Sequence, residues 1–122
     1  MSDRRQRLGQ RGEGMAKRRL QAIGYRVLEA NYRTKAGEID LIAEKDGALV
    51  FVEVRTRIGA ALGSPEESIT PRKRSHMVGA AQEYLPAHDA EGLEWRIDLV
   101  AVEFSPEGGP VRLDVLENSV EL

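Results

Sequence analysis

In the stretch GEIDLIAEKDGALVFVEVRTR, residues 37–57, two carboxylates interrupt runs that otherwise read as core strands. Asp40 lies between Ile39 and Leu41, and Glu53 between Val52 and Val54. Side chains two apart on a strand share a face, so Glu38 goes with Asp40 and Glu53 with Arg55. Asp46-Gly47 between the two apolar runs is a two-residue hairpin signal. Counted from that turn, Glu53 falls opposite Asp40, and cross-strand partners have Cβ atoms only ~5 Å apart. Two carboxylates held so close repel each other unless a positive charge lies between them. Arg55 and a divalent cation are the candidates. Two carboxylate oxygens, a backbone carbonyl and waters form the oxygen set that Mg²⁺ prefers. Mg²⁺ or Mn²⁺ held there lowers the pKa of a bound water and neutralises charge on a phosphoryl oxygen. Asp40 and Glu53 are therefore the expected metal ligands. Arg55 is a candidate beside them, and Glu13 is a further ligand or water-positioner. The competing reading is a pair of structural ion pairs, or charges that guard a strand edge. Energetics weigh against it for the pair: burying an ion costs several kcal/mol, and a domain has only ~5–15 kcal/mol of net stability. Taken singly, Glu13, Glu38 and Asp98 (within WRIDLVAV) read more simply as structural charges. His76 and His88 are isolated in a charged helix and a loop, and make no site.

The elements that position these groups follow from pattern. A helix is expected from about Gly12 to Ile23, with Gly24 as its stop. Ala16, Leu20 and Ile23 form its apolar stripe, and Glu13 shares that stripe. A strand over 25–32 follows, then the hairpin. IGAALGSPEES reads as a loop. Thr70-Pro71 reads as an N-cap with proline at the first helical position, opening a helix that Pro86 ends after Leu85. Met77, Ala81 and Leu85 form its inward row, flanked by Val78 and Ala80. LEWRIDLVAVEF is a strand, SPEGGP a turn and VRLDVLE a last strand paired back as a hairpin. The order is αβββαββ. The second helix is long enough for a right-handed crossover between parallel strands. Strands apolar on both faces imply layers on both sides. The expectation is an α/β sandwich with a mixed sheet of about five strands.

The 122 residues suit one domain able to bury a core, and 41% apolar with 31% charged residues is a globular composition. There is no cysteine, which excludes disulfides and thiolate metal sites and suits a reducing cytoplasm. No apolar run follows the basic N-terminus, so neither a signal peptide nor a membrane span is expected. The net charge of −2 hides an asymmetry: residues 1–35 hold ten of the 18 Lys/Arg but three of the 20 Asp/Glu. A basic third on an acidic body points to an anionic partner on one side. Its alternative, for MSDRRQRLGQR, is a solvated and frayed tail. Arg11, Lys17 and Arg18 on the first helix, with Arg72, Lys73 and Arg74 at the start of the second, are the candidates for nucleic-acid contact. PRKR reads equally as a solvated helix face.

Asp40 followed by Glu53-Val54-Arg55 on a hairpin, behind a helix that carries a glutamate, resembles the PD-(D/E)XK nuclease superfamily. More closely, GEGMAKRRLQAIGYRVLEANYRTKAGEIDLIA with LVFVEVRTR is similar to the YraN-like family of bacterial proteins, over about residues 9–104. The resemblance implies a restriction-endonuclease-like αβββαβ core, a mixed central sheet flanked by helices, with a C-terminal hairpin strand added. It implies a single nuclease-like domain over 1–122, with residues 1–10 as a flexible basic arm and 117–122 as a tail. It also implies Mg²⁺ (or Mn²⁺) on Asp40 and Glu53, a role for Glu13, and kinship with Holliday junction resolvases, hence a homodimer. One departure matters. The superfamily often has lysine where this chain has Arg55, and arginine stays charged where lysine can be tuned to lose its proton. Arg55 is thus expected to hold the attacking water or the phosphoryl charge. Lys35 and Lys73 are conceivable substitutes for the lysine, but spacing places neither in the site.

Two functions are carried forward. One is a metal-dependent DNA endonuclease acting on branched, recombination or repair DNA. The other is a non-catalytic nucleic-acid-binding or adaptor domain on the same scaffold. Arg55, the acidic C-terminal half and the few aromatics favour the second. The same few aromatics argue against base stacking as the binding mode.

Overall fold

A computed structural model of the chain describes residues 3–59 and 63–118. Its elements in chain order are α1 (Arg4–Ala22), β1 (Arg26–Arg33), β2 (Glu38–Lys45), β3 (Ala48–Ile58), a short 3-10 turn (Glu66–Ser68), α2 (Pro71–Ala87), β4 (Trp95–Phe104) and β5 (Pro110–Leu116). The strands form one sheet in the order β1-β2-β3-β4-β5. The pairs β1–β2, β2–β3 and β4–β5 are antiparallel, and β3–β4 is parallel across the α2 crossover. This is the expected αβββαβ core with a final hairpin strand.

The two helices cover opposite faces. On the α1 side, Leu8, Ala16 and Leu20 pack with Leu41, Val50, Val52, Val100, Val102 and Phe104. On the α2 side, Met77, Ala81, Tyr84 and Leu85 pack with Ile42, Leu49, Phe51 and Ile97. β3 and β4 are therefore apolar on both faces, as strands sandwiched between two layers must be. Each fully buried side chain the size of Leu20 or Phe104 contributes about 1.5–3 kcal/mol.

Three local expectations need correction. The first helix starts at Arg4, with Asp3 Oδ1 capping the Gln6 N–H at 2.8 Å, so residues 4–11 are helix and not a loose arm. Met1 and Ser2, and 119–122 of the expected tail, lie outside the described residues. Pro86 sits inside the last turn of α2, which continues to Ala87 before the His88 N–H closes on the Tyr84 carbonyl at 3.2 Å. Ile23, placed on the apolar stripe, is 44% exposed, because α1 has already ended at Ala22. The Thr70 cap is as expected, its hydroxyl accepting from the Lys73 N–H at 3.1 Å.

The hairpin also forms as read. Lys45 pairs with Ala48, which leaves Asp46 (φ 50°) and Gly47 (φ 82°) as the two turn residues. Two consecutive positive φ values define the turn whose twist matches a hairpin.

Candidate acid site at the β2–β3 fork

The β2–β3 ladder runs from Lys45↔Ala48 to Leu41↔Val52 and then stops. The next step of that register sets Asp40 beside Glu53. Here the Asp40 carboxylate replaces a backbone acceptor: its Oδ2 takes the Val54 N–H at 2.8 Å. The strand also changes course at this point. Ile39 and Ile42 both pack on the α2 side, whereas Leu41 and Ala43 pack on the α1 side. A strict two-residue alternation would set Ile39 with Leu41, so the pleat is broken at Asp40. On the neighbouring strand, pairing passes from Ala30↔Leu41 to Tyr32↔Ile39, and Asn31 between them adopts φ 53°. Asn is among the few side chains that tolerate that left-handed region. The kink opens a fork between β2 and β3 with a carboxylate on each prong.

Glu53 is 3% exposed. It lies on the α2 face, two residues beyond Phe51, and meets two cations there. Lys73 Nζ from the first turn of α2 is 3.2 Å from Oε2, and Arg55 Nε is 3.7 Å away. Neither geometry makes a hydrogen bond, so Oε2 is buried with its lone pairs unsatisfied, and Arg55 Nε is likewise buried without an acceptor. Orphaned buried polar atoms are rare and costly. Asp40 carries the electrostatic consequence. Burial, then its hydrogen bond to Glu53 and the repulsion between the two, push its carboxyl up to about 8, with the Val54 N–H and Lys73 pulling the other way. Asp40 thus holds its proton into the neutral range.

Glu13 on α1 is close enough to feel the pair. Its carboxyl is raised first by burial, then by Asp40 and then by Glu38. A recess of about 10 Å³, lined by Glu38, Ile39, Glu53 and Met77 among others, lies beside Glu53. That is room for roughly one water. The donor chemistry fits a hard cation: two carboxylates, Asp40 with a raised pKa and Glu53 with an unsatisfied buried oxygen. Among the described residues, no group of three or more Asp, Glu, His or Cys is arranged to hold a metal. Asp40 and Glu53 would need backbone and water oxygens to complete the shell.

The sequence candidates sort clearly. Asp40, Glu53 and Arg55 come together, and Glu13 feels the charge of Asp40 from α1. Lys73, which spacing left outside the site, is the residue nearest Glu53. Its signal was present in one place: it stands at the third helical position after the Thr70 cap, where α2 begins its pass over β2 and β3. Arg11 is occupied elsewhere, donating to the Gly108 carbonyl at 3.1 Å and lying over the Phe104 ring at 5.4 Å. It docks α1 on the β4–β5 turn. Lys17, Arg18, Arg72 and Arg74 are exposed. Asp98 is a structural acid. Fully buried, it accepts from the Tyr25 hydroxyl at 2.7 Å, the Asn118 N–H at 2.8 Å and Arg96 Nε at 3.0 Å. His88 stacks on Tyr84 at 3.9 Å, remote from the fork in sequence and packing partners. No helix among the described residues is long and apolar enough to cross a membrane.

Comparison with known proteins places these features in a family. The chain is 46% identical to the UPF0102 protein of Roseiflexus castenholzii over 122 residues, covering 99% of this chain and 98% of that protein. It is 38% identical to the UPF0102 protein of Dehalococcoides mccartyi over 121 residues, covering 98% of each. It is 42% identical to the UPF0102 protein of Pelotomaculum thermopropionicum over 119 residues, covering 98% of this chain and 99% of that one. Residues 12–102, from the middle of α1 to the end of the β4 core, match the family described as Uncharacterised protein family UPF0102, and the chain belongs to it.

Proposed function

We propose that the chain is a metal-dependent DNA endonuclease of the PD-(D/E)XK kind, hydrolysing phosphodiester bonds in branched or repair DNA in the cytoplasm. One observation carries the reading: Asp40 and Glu53 meet at the strand fork, one with a raised pKa and the other with a buried, unsatisfied oxygen. Burying such a pair is costly; Lys73 and Arg55 offset part of the charge on Glu53, and a divalent cation would relieve the rest. Mg²⁺ or Mn²⁺, when bound, supplies a water of lowered pKa and neutralises charge at the phosphate. The chain's residues do the rest. Asp40 and Glu53 would hold the ion, and the Val54 N–H fixes the Asp40 carboxylate. Lys73 brings an amine to the site from α2, where the superfamily pattern would have lysine at position 55. That amine accepts or donates a proton near the attacked phosphorus, a task closed to the guanidinium of Arg55. Arg55 instead faces the phosphoryl charge, and Glu13 orients water from the α1 side.

The test is a cleavage panel over linear, nicked, flapped and four-way DNA in Mg²⁺ or Mn²⁺. Wild type is expected to cut at least one form, and Glu53→Gln to cut it at least about tenfold less, the usual scale for a disturbed metal site. Equal cleavage by the two proteins would identify a contaminant and overturn the reading. A second reading has its own observation. Lys73 and Arg55 both reach Glu53, so the acid pair can be neutralised with no ion, as in an adaptor that keeps the scaffold. Under it, Mn²⁺ leaves the melting temperature unchanged while DNA binding persists.

A further inference from the structure

β3 continues past the acid pair. Residues 53, 55 and 57 share a face, so Glu53 is followed on that face by Arg55 and Arg57. Arg57 Nε, like Arg55 Nε, is buried and donates to no acceptor. The β2–β3 ladder ends at Leu41↔Val52, so beyond it the β2-facing edge of β3 has no strand partner, only the Asp40 carboxylate on the Val54 N–H. On the α1 face, the first turns of α1 and the end of β3 leave an open groove of about 710 Å³, lined by Arg4, Arg5, Gln6, Thr56, Arg57 and Ile58 among others. Asp3 is its one carboxylate, and that group is engaged in capping α1. Arg4 reaches the Pro106 carbonyl. Arg5 and Arg57 have no acceptor among the described residues.

Three guanidinium groups around an open groove suit phosphate, which accepts two parallel N–H bonds from each fork. The lining holds no aromatic ring, so contact is with backbone charge and not with stacked bases. From Glu53 to Arg57 is four residues, ~14 Å along a strand, or about four phosphate steps of a B-form strand at ~3.4 Å each. We propose that this groove is the path of one DNA strand as it leaves the acid pair, its phosphates seating on Arg57 and Arg5. The inference rests on the nucleic-acid reading above and gives it a direction: binding energy on one side of the cut comes from the β3 edge and the α1 N-terminus. Recognition there is sequence-tolerant.

The test is anisotropy of a labelled 20-nucleotide DNA, single-stranded and as a four-way junction, in EDTA so that neither metal nor cleavage contributes. Arg5→Gln and Arg57→Gln are each expected to weaken binding about fivefold or more. Together they lower the salt slope by about 1.4 to 1.8, two phosphate contacts at ~0.7 to ~0.9 each. Arg57→Lys keeps the slope, and Arg26→Gln, a matched charge loss on the β1 edge, leaves binding unchanged. Should Arg57→Gln fail to fold, Arg5→Glu on the exposed first turn carries the test. An unchanged slope in folded Arg5 and Arg57 variants overturns the groove, as does wild type that binds no DNA, or inorganic phosphate at equal ionic strength displacing the strand. A wild type that cuts DNA but ignores these substitutions sinks the groove and leaves the nuclease standing. A wild type that binds through the groove yet cuts nothing does the reverse.

Discussion

The raised Asp40 carboxyl makes the metal-free protein lose stability as pH rises, and replacing Asp40 by Asn removes that loss. Asp40 titrates at about 8 in the folded chain, against an ordinary value of 3.8. Between those values the native state holds a proton that the unfolded chain has released. Stability from this group is therefore complete below about pH 4 and is lost as pH climbs through 8. Where the native state holds one extra proton, the slope is about 1.4 kcal/mol per pH unit. From pH 5.5 to pH 8 that accumulates to on the order of 3 kcal/mol. Asn keeps the shape and can accept the Val54 N–H without a charge. The assay is urea unfolding of wild type and Asp40→Asn in EDTA at half-unit steps from pH 5 to 9. The two curves are expected to converge at the acid end. At pH 8 the mutant midpoint should lie about 1–3 M higher, taking m as ~1–3 kcal/mol/M. Mn²⁺ then closes most of the gap. At one hundred times its Kd it adds ~2.7 kcal/mol to wild type, least at low pH because the ion must displace the shared proton, and nothing to the mutant. Parallel pH curves for the two proteins would refute the claim that these carboxylates are forced together.

Two further substitutions separate chemistry from packing. Lys73→Met leaves Glu53 with Arg55 alone at 3.7 Å and is expected to cost about 1–2 kcal/mol at pH 8, a figure held down because the Lys73 side chain is 35% exposed. It abolishes cleavage while Mn²⁺ still raises the melting temperature. Lys73→Arg restores the stability but not the cleavage, and an Arg variant at full activity would remove Lys73 from the chemistry. Gly12→Ala sets a methyl 2.5 Å from Thr56 Oγ1 at the α1–β3 contact. It is expected to lose about 1–3 kcal/mol in urea despite better helix propensity. Thr56→Ala on the same chain should recover most of the loss, and an unperturbed single mutant would show that α1 does not depend on the close approach.

The hairpin could be read from sequence because its register is set locally. Asp46-Gly47 fixes the turn, and every pair up to Leu41↔Val52 follows by counting. Where the register depends on more than the turn, sequence falls silent. The kink at Asp40 is shared with the left-handed Asn31 on a different strand, and no alternation pattern announces it. The start of α1 was hidden for a related reason. Gly9 and the run of charges make DRRQRLGQR look like coil, yet the helix runs through it to Gly12, which is buried because only a residue without a side chain lets the helix approach Thr56. A tertiary contact overrode propensity there. Arg11 shows the converse: a charge that composition assigns to a partner is taken up by the chain's own β4–β5 turn.

Lys73 shows what this means for the chemistry. The pattern of acids on β2 and β3 is contiguous, so the motif could be read, and it has arginine at position 55. The amine arrives from a helix eighteen residues later in the chain, through the angle at which α2 crosses the sheet, an angle no spacing rule encodes. A cation held by packing is not bound to one strand position. It can move to another element, provided its head still reaches the same carboxylate. On the nuclease reading, arginine at position 55 is then no defect in the motif, because the amine reaches Glu53 from α2 while Arg55 stays beside the same carboxylate. The two roles separate by substitution: Lys73→Arg is expected to lose cleavage and keep DNA affinity, whereas Arg57→Gln is expected to lower a DNA affinity that depends on salt.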